Sequence, residues 1–103
     1  MRGVLITAVA GVDAFDPTRP YRLHPQVAVR PEPFGALAYH YGNRRLNFLR
    51  HPDLVTVVST QGDHPRVDDA LAASGVAERR WPAFRKALAR LAASEFLEPN
   101  TDA

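Results

Sequence analysis

Between Val27 and Leu49 the apolar positions recur every second residue. Val27 and Val29 share one side of a strand predicted over Val27–Glu32, with Ala28 and Arg30 on the other. Pro25, Pro31 and Pro33 bracket that strand, and proline brings no ladder donor, so it belongs at a sheet edge. A second strand starts at Gly35 and runs to Tyr41. Leu37, Tyr39 and Tyr41 fall on one face, and Ala36, Ala38 and His40 on the other. Gly42-Asn43 predicts a two-residue hairpin turn, because both residues tolerate positive φ. That turn sets Tyr41 opposite Arg44, Tyr39 opposite Leu46 and Leu37 opposite Phe48. The large apolar residues of both strands then share one face, which is expected to be the core face. Most of the aromatics Tyr39, Tyr41, Phe48, Trp81 and Phe84 are assigned to the core on this reading.

After Leu49 the period lengthens. His51-Pro52-Asp53 opens a helix, with proline in the first turn and Asp53 at its positive end. Leu54, Val55, Val57 and Val58 form its stripe, although Leu54 to Ser59 also reads as a β-branched strand. Asp63-His64-Pro65 opens a second helix, from about Pro65 to Ala73, and Gly75 is its stop. Trp81, Phe84, Leu88 and Leu91 recur at helical spacing through a third, ending near Ala93. Tyr21 and Leu23 alternate in an otherwise irregular arm, and Phe96 and Leu97 are placed back on the core. The fold class is α+β: an N-terminal three-stranded antiparallel sheet followed by three helices, a winged-helix-like order. Domain limits follow as a flexible arm over 1–20, a folded unit over 21–97 and a tail over 98–103.

Composition narrows the chemistry. At 103 residues there is one modest core. Cysteine is absent, which excludes disulfides, thiolate metal sites and cysteine nucleophiles and fits a reducing cytoplasm. No run is long enough for a membrane span. Met1 to Val12 is short, alanine-rich and soon followed by Asp13 and Asp16, so it is expected to be a disordered leader, or an extension from an upstream start codon, rather than an export signal. His24, His40, His51 and His64 are scattered, and neither they nor Asp63, Asp68 and Asp69 form a metal-ligand or acid–base pattern. Neither a cofactor nor catalysis is expected.

The net charge is only +2, but Lys86 is the sole lysine and the other cations are arginines. That bias fits either codon usage or guanidinium forks set to hold carboxylates. Arg44, Arg45 and Arg50 lie on or beside the third strand, and Arg79, Arg80 and Arg85 at the start of the third helix. They form a solvated face, or else the rim of one groove walled by the open edge of the third strand. In the second case an acidic extended peptide adds to that edge. Nucleic-acid binding is the alternative that a winged-helix-like layout invites. The low charge and Asp63, Asp68 and Asp69 around the second helix argue against it.

The segment FDPTRPYRLHPQVAVRPEPFGALAYHYGNRRLNFL, Phe15 to Leu49, resembles the peptide chaperones of mycofactocin biosynthesis, the MftB family. These are similar to PqqD and other RiPP recognition elements. The resemblance reaches about Leu97, and Arg30 to Leu46 is its most specific part. It implies a non-catalytic chaperone that binds the leader of a precursor peptide and presents it to a radical S-adenosylmethionine maturase. By position, the leader is expected along Arg44, Arg45, Leu46, Asn47, Phe48 and Leu49, facing Trp81, Arg85 and Leu88.

Overall fold

The computed structural model describes residues 15–100. Residues 1–14, and the expected leader there, lie outside the described residues. Five strands and three helices follow one another: β1 (Tyr21–Leu23), β2 (Val27–Glu32), β3 (Gly35–His40), β4 (Leu46–Leu49), α1 (Pro52–Thr60), α2 (Val67–Ala73), α3 (Trp81–Ala93) and β5 (Leu97–Pro99). Single 3₁₀ turns, Gln61–Asp63 and Glu78–Arg80, precede α2 and α3.

The main sheet has the order β2-β3-β4, antiparallel throughout. Its register matches the alternation pattern: Leu37 faces Phe48 and Tyr39 faces Leu46. The turn itself differs. His40 N–H donates to the Arg45 carbonyl at 2.9 Å, so the loop is four residues, Tyr41–Arg44, and the positive φ falls on Arg44 at 63°. A two-residue and a four-residue loop centred on the same bond give the same register, so the pairing is unaffected. His40 and Asn43 hold this loop. His40 Nδ1 accepts the N–H groups of Gly42 (2.9 Å) and Asn43 (3.1 Å). Asn43 Oδ1 accepts from Arg45 N–H, while its Nδ2 donates to the Ser94 carbonyl at the end of α3.

The expected core face is inverted. The buried side of β3 carries Ala36, Ala38 and His40, and Leu49 joins them from β4. Tyr41, Leu46 and Phe48 are 64 %, 52 % and 52 % exposed on the opposite side, with Leu37 and Tyr39 half-buried there. The reason lies in the partner layer. The helices bring their own bulk to the core, namely Leu54, Val57 and Val58 from α1, Val67 and Leu71 from α2, and Phe84, Leu88 and Leu91 from α3. Small residues on the sheet let that layer approach closely. Gly35 shows how tight the hairpin is: at φ 146°, a Cβ there would collide with the Leu49 carbonyl oxygen.

The sheet does not stand wholly before the helices, because β1 pairs with β5 in a second, two-stranded sheet. The reversal that makes this possible follows α3. Phe96 N–H donates to the Leu91 carbonyl and Glu95 N–H to Ala92, with Glu95 in the left-handed region at φ 68°. Buried Phe96 and Leu97 then cover the core. The same closure ends α2, where Gly75 at φ 78° is followed by Val76 bonded back to Leu71. Residues before β1 also pack: Phe15 stacks on Tyr21 at 4.9 Å, and the Pro17 and Arg19 carbonyls accept the first N–H groups of α2.

Candidate functional site at the edge of the sheet

Both outer strands of the main sheet have a free edge, and the two edges are chemically unequal. In an antiparallel ladder, alternate residues turn both backbone groups toward the same neighbour. The bond from His40 to Arg45, with the observed register, directs Arg45, Asn47 and Leu49 inward to β3. Leu46 and Phe48 therefore present their N–H and C=O groups outward. Neither N–H meets an acceptor among the described residues.

On β2 the bond from Tyr41 N–H to the Gln26 carbonyl fixes the opposite parity, so Val27, Val29 and Pro31 face outward. Val27 N–H is already bonded to the His24 carbonyl at 2.9 Å, and Pro31 has no N–H. Only Val29 offers a donor there.

α3 lies beside the β4 edge and runs antiparallel to it. Its C-terminal end meets the β3–β4 loop through Asn43 and Ser94, and its N-terminal end meets the start of α1 through an ion pair from Arg80 to Asp53 at 3.0 Å. Two hollows mark the ends of the cleft. The larger, about 540 Å³, is lined by His51, Leu54, Arg79, Arg80, Ala83, Phe84 and Ala87. The smaller, about 150 Å³, is lined by Asn43, Arg45, Ala93, Ser94 and Glu95. The hollows are lined by residues at the two ends of β4 and along α3, so the unpaired strand edge and an apolar helix flank span the same two ends, with arginines at both. Arg45, Arg50 and Arg79 make no ion pair among the described residues, so their charge is available to a carboxylate.

The anticipated site residues divide. Arg44 and Arg45 lie in the loop, exposed, and Leu46 and Phe48 on the strand have both side chain and backbone accessible. Asn47 is half-buried with its backbone paired inward, and Leu49 is in the core. On α3, Leu88 is fully buried. Trp81 and Arg85 lie on the flank toward α2: the indole N–H donates to the Val76 carbonyl at 2.9 Å, and Arg85 grips Asp68 through two bonds of 3.0 and 2.8 Å while covering the Trp81 ring. The Asp68 carboxylate holds the Arg85 guanidinium still further above its ordinary range. The cleft side is instead Ala83, Phe84 and Ala87 of the helix, with Arg79 and Arg80 of the turn before it. The run Ala83, Ala87 beside Phe84 was visible in the sequence, but alanines give a periodicity search no weight.

The model of the peptide chaperone MftB family matches residues 20–98, which takes in the main sheet, all three helices and all of the second sheet but Pro99. The chain belongs to the peptide chaperone MftB family. Peptide chaperone MftB of Mycobacterium ulcerans is 49 % identical over 105 residues, covering 97 % of this chain and 96 % of the relative. That of Mycolicibacterium smegmatis is 50 % identical over 94 residues, covering 91 % and 92 %. That of Mycobacterium tuberculosis is 49 % identical over 86 residues, covering 84 % and 79 %. No solved structure gives a significant match. The MftB assignment agrees with the resemblance read from Phe15 to Leu97, and with a binding protein rather than an enzyme.

Proposed function

We propose that this MftB-family peptide chaperone acts in the cytoplasm, takes up the leader of the mycofactocin precursor peptide as an added strand on β4, and presents it to a radical S-adenosylmethionine maturase. The observation that carries this reading is the outward pair of backbone groups at Leu46 and Phe48, and the apolar flank of α3 that spans the same two ends supports it. Main-chain bonds to these groups supply affinity, and alternate leader side chains enter the cleft against Ala83, Phe84 and Ala87. Arg45 and Arg79, at its two ends, favour an acidic segment. The chaperone contributes positioning, raising the effective concentration of peptide at the maturase.

Calorimetry with the synthetic leader, and separately with duplex DNA, over a range of salt tests this reading. The expected leader affinity is roughly micromolar or tighter, about −8 to −9 kcal/mol, with a shallow salt dependence. Leader that releases no heat where a micromolar site would fill, together with tight DNA binding of steep salt slope, would overturn it.

A further inference from the structure

The solvent face of the main sheet is unlike a solvated surface. Phe34, Leu37, Tyr39, Tyr41, Leu46 and Phe48 form a continuous apolar field across β3 and β4 and the turn before β3. Phe34 packs edge-on against Phe48 at 6.0 Å, and Tyr39 against Tyr41 at 4.9 Å. Two hollows indent the field. One of about 230 Å³ lies between Phe34, Phe48 and Arg50, and one of about 490 Å³ is lined by Ala28, Arg30, Leu37, Tyr39, Tyr41 and Leu46 among others. None of these side chains covers the core, since that role belongs to Ala36, Ala38 and His40. An exposed, mostly aromatic patch without a structural task marks an interaction surface.

We infer that this face docks the enzyme that receives the peptide, through an apolar patch bordered by carboxylates, and that the bound leader forms part of the docking surface. The inference rests on the leader-binding reading above. Charge selects the occupant. Arg50 lies over the Phe48 ring at 5.5 Å and makes no ion pair among the described residues, whereas Arg30 at the opposite hollow is paired with Glu32 at 2.8 Å, so the uncompensated charge of the rim is the guanidinium of Arg50. A second copy of this chain would bring another uncompensated arginine to the patch, whereas a carboxylate-bordered partner complements Arg50.

Size points to the composite. Three strands about 4.8 Å apart and some six residues long offer roughly 10 by 20 Å, well below the approximately 800 Å² that each partner contributes to a stable interface. A leader strand added to β4 continues the sheet, and every second leader side chain projects onto this same face. The enzyme would then meet a wider surface on the loaded chaperone than on the empty one.

Tyr39→Glu and Leu37→Glu test this on the full chain. Both residues are on the central strand, whose backbone is paired on both sides and cannot touch a peptide at the β4 edge. The measurements are leader affinity by calorimetry and affinity for the purified maturase with and without leader. The expected result is leader affinity unchanged within about twofold and maturase affinity reduced about 30-fold, the scale of a central aromatic anchor. Wild-type chaperone should bind the maturase more tightly when loaded. Maturase affinity unaffected by either variant overturns the inference, as does a wild type whose self-association the variants abolish. Loss of leader binding in well-folded variants, judged by their amide spectra, overturns it too, because face and edge would then be one site. Failure of wild type to bind leader at all would instead fault the leader-binding reading.

Discussion

The two edges of the main sheet have the same backbone geometry and opposite availability. β2 turns Val27, Val29 and Pro31 outward, but one donor is consumed by His24 and another never existed. β4 turns Leu46 and Phe48 outward with both donors unengaged among the described residues. Surroundings deepen the contrast, since among the described residues α3 spans the two ends of β4 and carries an apolar hollow next to the end of that strand. The lesson is that an edge becomes a binding site through the parity of its free groups and through what stands beside it. A strand's mere position at the border of a sheet is insufficient.

The comparison breaks most sharply at Phe48. Phe48→Pro removes an outward donor without taking a bond from β3, so the fold should survive while leader affinity falls about 30-fold or more, from the lost bond and the collision of the ring with an incoming strand. Asn47→Pro is its counterpart. Asn47 points inward, so that variant should lose roughly 1–3 kcal/mol of stability in denaturant melts, leaving a ladder carbonyl unpaired.

Next in size is Ala87→Glu, which puts a carboxylate into the cleft on α3. It should weaken an acidic leader about tenfold by calorimetry, through filled space and like-charge repulsion. Arg79→Ala should cost a few-fold, about 0.2–1 kcal/mol, and the cost should vanish at high salt, because the side chain is exposed. Smallest is Pro31→Ala. It restores a donor on β2, but the hollow there opens on the solvent face of the sheet and is lined by strand and loop residues without a helix, so leader affinity should stay within about twofold. A large gain there would mean that proline alone separates the two edges.

Much of this was legible in the residues. The register of the β3–β4 hairpin followed from alternation and from the centre of the turn, and the three helices followed from their proline and glycine boundaries. The inequality of the edges was visible in Pro31. Which face of the sheet is buried was not. Both faces of β3 are apolar, and choosing the larger side chains as core ignores that the helices bring their own bulk. β5 escaped because Leu97-Glu98-Pro99 has no periodicity of its own and forms only through pairing with β1. The cleft side of α3 escaped because it consists of two alanines and one face of Phe84, whereas Trp81 and Arg85, the more conspicuous residues, are engaged with Val76 and Asp68. The direction of each backbone donor depended on knowing one hydrogen bond, from His40 to Arg45.

Backbone amide NMR during titration with the synthetic leader tests, residue by residue, whether the leader pairs with the outward groups of β4. On saturation the Leu46 and Phe48 amides should move downfield and gain exchange protection, while Val29 on the other edge stays in place. Saturable binding that leaves Leu46 and Phe48 unprotected, or that protects Val29 instead, would contradict that pairing.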